Sequence, residues 1–234
     1  MNFWILRSEG PKIQMYNEDV RRLNNKRIRK FDGDIVYCIK CSDWPPLELS
    51  DWAWRDKKWP SREMVNQIIG GGCHLVPNPC ATDQHGLTWR ISFSKAEIEL
   101  SKLIQENARM CLLGLKTIVK DHLSPISKRL SSYILKTVLL HVLERNGTEI
   151  WESELVDDLF DLLMQNLMIS IHQKQLQHFW IPTINLFEDF SDKEISKVMK
   201  KLSEIRKCPA KYIEHLNMVY YKMNKTSSSD YYDF

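Results

Sequence analysis

The pattern of apolar and polar positions changes once along the chain, near Phe93. Before it, short β-type runs are separated by turn-forming pairs: Gly10-Pro11, Asp32-Gly33, Trp44-Pro-Pro46, Trp59-Pro60 and Gly70-Gly-Gly72. The runs predict strands over Ile13–Tyr16, Asp34–Ile39, His74–Val76 and Thr88–Phe93, the first two neighbours across a long polar loop. After it, the period is helical. Ile104, Ala108, Cys111, Leu115, Ile118 and Val119 recur at three and four and predict one long helix. Leu130, Ile134, Val138 and His141 predict a second, stopped at Asn146-Gly147. Leu155, Leu159, Leu162, Leu163, Asn166 and Leu167 predict a third, with Glu152, Glu154, Asp157 and Asp158 at its positive end. Ile195, Val198, Met199, Leu202 and Ile205 predict a fourth, opened by the capping box Ser191-x-x-Glu194 and closed before Pro209. A short fifth helix over 210–222 and a polar, disordered tail complete the expectation. The class is α+β, with a strand-bearing region 1–97, a helical lobe 98–222 and a tail 223–234.

Composition narrows the classes. Eight glycines in 234 residues are about 3%, under half the usual ~7%, which excludes collagen-like and low-complexity chains. At 43% hydrophobic the chain can bury a sizeable core. Six of its eight tryptophans precede residue 90. Lys+Arg 33 against Asp+Glu 30 leaves +3, which names no partner unless the charges cluster. No stretch approaches ~18 uninterrupted apolar residues, so no membrane span or membrane partner is expected. The apolar run near Met1 is too short for a signal peptide. Six irregularly spaced cysteines do not make a disulfide framework, and a cytoplasmic or nuclear, non-secreted protein with reduced thiols is expected.

Several groups of residues bear on chemistry. Asp32 and Asp34 lie at i and i+2 of a strand and share a face, as two carboxylate ligands of Mg²⁺ or Mn²⁺ would. A turn followed by a strand-starting Asp is the plainer account of the two residues alone. Arg90, Ser92 and Ser94 alternate along one strand face ahead of Glu97. Ser94-x-x-Glu97 is also a capping box, and Glu97 can cap a helix and still reach a ligand. Lys116, Ser132, Tyr133 and Lys136 combine cations, a hydroxyl and an aromatic ring, suited to phosphates and a base; lysines snorkelling from amphipathic helices are the plainer account. Cys38-x-x-Cys41 looks like half a zinc site, but i and i+3 of a strand face opposite sides; the set Cys73, His74, Cys80 and His85 matches no standard zinc spacing, and no zinc is expected. His141 and His172 fall on helix faces without a catalytic part. Gly70-Gly-Gly72 opens no helix and has no following Lys-Ser/Thr, so it is a turn and not a phosphate cradle. The run Arg21-Arg-Leu-Asn-Asn-Lys-Arg-Ile-Arg-Lys30 has six basic residues in ten. It can hold nucleic-acid phosphates or be a solvated loop.

The ordered set Glu9-Gly-Pro11, Asp34-Ile-Val-x₄-Ser-Asp-Trp-Pro45, Trp59-Pro-Ser61, Leu75-Val-Pro77, Trp89-Arg-Ile-Ser-Phe-Ser-x-x-Glu97, Cys111-Leu-x₃-Lys116, Leu130-Ser-Ser-Tyr-x-x-Lys-Thr137 and Trp180-Ile-Pro-x-x-Asn-Leu-Phe187 resembles the male-abnormal-twenty-one-like family. That family includes cyclic GMP-AMP synthase and the animal cyclic-dinucleotide-synthase-like receptors. The resemblance implies the C-terminal part of a nucleotidyltransferase-like fold, a partial mixed sheet followed by a helix-hairpin-helix-like lobe. It implies ATP and GTP as partners and Mg²⁺ held by three carboxylates, with Asp34 as the third, catalytic and metal-binding. Arg90, Ser92, Ser94 and Glu97 resemble nucleotide contacts, Lys116 and Ser132 phosphate contacts, and Tyr133 the base-stacking aromatic, with Lys136 at the edge of that segment.

The departures point the other way. Catalytic members carry a Gly-Ser loop and a carboxylate pair well ahead of the third carboxylate, and the 33 residues before Asp34 offer neither. One carboxylate does not hold two metals for in-line transfer. The expectation is a truncated product or a divergent member lacking the first catalytic lobe, inactive as written, with a nucleotide-binding or protein-interaction scaffold as the alternative. The zinc insertion of the DNA-sensing synthase would fall between Glu97 and Lys116, where one unbroken helix with only Cys111 is expected.

Overall fold

The structure is a computed structural model that describes residues 4–9, 12–17, 32–77, 88–152 and 156–213; over 4–9, 12–17 and 32–35 the description is of the backbone. The basic run 21–30, Cys80, His85, Glu154, Leu155 and the tail 223–234 lie outside these residues. Of the expected fifth helix, residues 210–213 are helical and the rest also lies outside.

The chain divides into two compact units. One comprises Met1–Trp44 with Ile68–Glu97, the other Pro45–Gln67 with Ile98–Phe234. The Trp-Pro-rich segment 45–67 thus folds with the helices although it lies between strands in sequence.

The first unit holds two antiparallel three-stranded sheets. β1 (Trp4–Glu9), β2 (Lys12–Asn17) and β3 (Asp32–Val36) form one in that order. β2 and β3 are neighbours as expected, with Asp34 opposite Gln14. β4 (Ile39–Cys41), β5 (Cys73–Pro77) and β6 (Trp89–Ser92) form the second. The single strand expected over 34–39 is therefore two strands, parted at Tyr37-Cys38, each pairing with a different sheet. The turn entering β5 depends on Gly72, whose φ is +67° and whose position leaves no room for a side chain: a Cβ there would lie 2.0 Å from the Cys41 carbonyl oxygen. Trp44 packs on Phe93 with ring centroids 5.4 Å apart, and both are buried with Cys73 and Val76.

Two helices cross between the units in sequence: α1 (Arg62–Gly70) and α2 (Ser94–Leu103). The second unit contains α3 (Glu106–Ile118), α4 (Ser132–Asn146), α5 (Val156–His172) and α6 (Asp192–Arg206). The unbroken helix expected between Glu97 and Lys116 is corrected: α2 and α3 are separate, parted at Ile104-Gln105. Gln105 is extended (ψ 156°), and the Arg109 guanidinium folds back to donate to the carbonyls of Ile104 (3.0 Å) and Ser101. A cation two turns on thus satisfies the carbonyls that the break exposes. α3 runs on through one wide π turn, Val119–Leu123, closed by Ser124 N–H donating to Val119 O at 2.7 Å.

The remaining helix ends follow their local chemistry. Ser131 and Ser191 cap α4 and α6 by accepting from Ile134 and Glu194 N–H. Gly147, at φ +79°, ends α4 as its sequence predicts. The helical core is built from Leu115, Ile118, Leu139, Leu143, Leu163 and Leu167, all fully buried. A second buried nucleus joins Trp52 edge-on to Trp180 (4.8 Å) and Phe179 edge-on to Trp180 (5.0 Å). No helix among the described residues is long and apolar enough to cross a membrane.

Candidate nucleotide site

In the sheet unit, Arg90 and Ser92 sit at i and i+2 of β6, opposite Val76 and His74 of β5. Ser94 is the first residue of α2 and not its cap. The Glu97 N–H donates to the Phe93 carbonyl at 2.8 Å, so the Ser94 hydroxyl is not used for the expected capping box. It instead accepts from the Ser92 hydroxyl at 3.3 Å. Arg90, Ser92 and Ser94 therefore follow one another on a strand-to-helix turn, with Glu97 one helical turn on. Asp34 is placed by backbone register alone.

In the helical unit, the structure brings Lys116, Ser132, Tyr133 and Lys136 together around a cavity of about 630 Å³. Lys116 reaches it from the last turn of α3. Ser132 and Tyr133 reach it from the first turn of α4, the end of a helix that favours negative charge, and Lys136 from the start of the second. Lys120 and Ser124, from the π turn, also line it. Sequence reasoning missed both, although the Lys116-x₃-Lys120 spacing was a usable signal. The Ser124 hydroxyl donates to the Val119 carbonyl at 3.1 Å and braces the turn.

Tyr133 does not stand alone. Its hydroxyl lies 2.7 Å from Nε2 of His178, and the two rings are 5.2 Å apart and tilted by 38°. His178 Nδ1 accepts from the backbone N–H groups of Trp180 (3.2 Å) and Ile181 (3.0 Å). Nothing in local sequence marks this pair, whose members are 45 positions apart.

The other candidates have structural occupations. His141 Nε2 donates to the Gln177 carbonyl at 2.9 Å, and its ring meets Phe179 edge-on at 5.3 Å. Cys41 and Cys73 are cross-strand partners of β4 and β5. Burial, then the neighbouring Cys41, pushes the Cys73 thiol up to about 11. Burial, with Asp157 nearby, pushes Cys111 to about 12. Neither thiol is in the thiolate form that binds metals or attacks electrophiles at neutral pH. Among the described residues, no three His, Cys, Asp or Glu side chains converge as metal ligands.

An antiparallel strand unit carrying an Arg-x-Ser-x-Ser turn is thus followed by a helical unit with a cationic, aromatic cavity. Sequence comparison makes the family specific. Residues 6–102 match the Mab-21 protein nucleotidyltransferase domain, and residues 107–204 match the Mab-21 protein HhH/H2TH-like domain. The chain belongs to the Mab-21 family. It is similar to "Protein mab-21-like" of Aedes aegypti, with 23% identity over 190 residues that cover 78% of this chain and 51% of that protein. The chain thus spans about half the length of that relative.

Proposed function

We propose that the helical unit binds a nucleoside triphosphate, ATP or GTP, in the Lys116–Tyr133–Lys136 cavity. The observation that carries this is the convergence of three lysines, two serine hydroxyls and one tyrosine ring on a single space of about 630 Å³. That volume falls within the roughly 300–1,000 Å³ of small-molecule sites. Lys116, Lys120 and Lys136 match the charge of a polyphosphate, Ser132 adds a donor, and the Tyr133 ring offers a stacking face worth about 1–3 kcal/mol per base. Arg90, Ser92, Ser94 and Glu97 are the proposed nucleotide contacts of the sheet unit.

Transfer of a nucleotidyl group, as in cyclic GMP-AMP synthase-like members, asks for more. Asp34 is the proposed metal carboxylate and is described by its backbone only, and among the described residues no three carboxylates converge as metal ligands for in-line displacement. The proposal is therefore one of binding.

Calorimetry with ATP, GTP, adenosine and inorganic tripolyphosphate, with and without Mg²⁺, tests it. Both triphosphates should bind, tripolyphosphate more weakly and adenosine weakest. An absence of heat with all four would leave a protein-interaction scaffold as the function.

A further inference from the structure

We propose that His178 is a positioning residue that locks the ring of Tyr133 for base stacking. The proposal rests on the nucleotide-binding reading of that cavity.

The geometry determines which atom carries the imidazole proton. Two backbone N–H groups, of Trp180 and Ile181, point at Nδ1 from 3.2 and 3.0 Å. A donor cannot face two donors, so Nδ1 is the unprotonated acceptor and the proton of the neutral ring sits on Nε2. Nε2–H then donates to the Tyr133 hydroxyl oxygen at 2.7 Å. The bond has a direction, and it holds a residue of the first turn of α4 against a loop.

That loop is itself rigidly held. His178 N–H donates to Ile184 O at 2.8 Å and Leu186 N–H to Leu176 O at 2.8 Å. The Asn185 side-chain oxygen accepts from Leu176 and Phe187 N–H at 3.0 and 3.1 Å. Phe179 and Trp180, next to His178, are fully buried. His178 thus sits on a fixed platform, and Tyr133 is half-buried at the cavity wall. A tyrosine tethered at its hydroxyl keeps one χ1 rotamer, so a base stacking on it does not have to stop the side chain swinging away from the cavity wall. Lower ordering cost on binding is affinity gained by preorganisation.

The two jobs of His178 separate by substitution. Asparagine places its side-chain oxygen where Nδ1 is, as Asn185 shows by accepting two backbone N–H groups in the same loop. His178→Asn therefore keeps the acceptor for Trp180 and Ile181 and removes the reach to Tyr133. Tyr133→Phe removes the bond from the other side and keeps the stacking face. His178→Ala removes both jobs.

The test measures GTP and ATP binding by calorimetry and melting temperature for the wild type, the three variants and the double variant H178N/Y133F. His178→Asn should melt close to wild type and bind about five- to tenfold more weakly. The double variant should be no worse than the weaker single variant, because both remove the same bond. Wild-type affinity in H178N, or losses that add fully in the double variant, would overturn the proposal. A nucleotide-free readout separates this from the underlying reading. In ¹⁵N-histidine spectra, His178 should show the Nε2–H tautomer and should shift in Tyr133→Phe. An Nδ1–H tautomer or an unmoved signal overturns the positioning role. A wild type that binds no nucleotide overturns the cavity's assignment.

Discussion

The side chains that decide most in the helical unit are those buried with charge. Glu144 is 6% exposed and receives Arg55 Nε at 3.0 Å; Arg55 Nη2 lies 2.8 Å from its other oxygen, and the guanidinium rests on the Phe179 ring at 4.9 Å. The Nη2 contact is an ion pair off the N–H direction and not a second hydrogen bond. This pair ties the segment 45–67 to α4. Truncating one partner of a buried pair costs about 3–5 kcal/mol, and less here because Arg55 keeps 19% of its side chain exposed. Glu144→Ala should lower unfolding stability in urea by about 2–3 kcal/mol. Lys57 lies nearby, over the Trp52 ring at 4.5 Å. Burial lowers it from 10.5 to about 8, opposed by Glu144 and reinforced by Arg55 and Arg62. Between pH about 8 and 10.5 the unfolded chain holds a proton that the folded chain has released, so this residue's contribution rises with pH across that window. Below pH 8 its burial cost is fully present. The stability of Lys57→Met relative to wild type should therefore be greatest at neutral pH and decline as pH approaches 10.5, followed by denaturation midpoints; a difference independent of pH would contradict the assignment.

At the scale of elements, two departures from regular helix shape the site. The break at Ile104-Gln105 starts α3 afresh, and Arg109 holds it. Arg109→Ala leaves two carbonyls of buried residues without that partner and should cost about 1–2 kcal/mol in chemical denaturation. The π turn at Val119–Leu123 follows directly on α3 and adds Lys120 to the cavity that Lys116 lines. Lys120→Ala should weaken triphosphate binding about two- to fivefold, and adenosine binding hardly at all, by calorimetry. The break was invisible to periodicity for a plain reason. Ile104, Ala108, Cys111 and Leu115 keep the spacing of one face across a two-residue interruption, so the apolar pattern passes straight through it. What makes the interruption is a hydrogen bond from a side chain further along, which no local pattern encodes. The strand 34–39 divides in a similar way: each half is β-forming, and the choice of two sheets is made by distant partners.

For the molecule as a whole, sequence pattern yielded the α+β class, the change from strands to helices near Phe93 and the helical signals of α3 and α4 that flank the cavity. It missed β1, whose Trp4-Ile-Leu run has no alternation to mark it. Lys116, Ser132, Tyr133 and Lys136 were legible because a specific motif carried them, and they do meet. His178 was not legible, since its meaning depends on a loop folding back over 45 positions. Nor did sequence order show that segment 45–67 folds with the helices, because Trp52 finds its partners at Phe179 and Trp180.

The central claim is that the cavity at the joint of α3 and α4 is where a nucleotide binds. Hydrogen exchange read by mass spectrometry, with and without saturating GTP, tests it most directly. Protection is predicted in peptides covering 116–124 and 130–137, with little change in those covering Arg145 and Asn166 at the smaller cavity of about 340 Å³. Unchanged exchange over 116–137, or protection confined to the smaller cavity, would contradict the account.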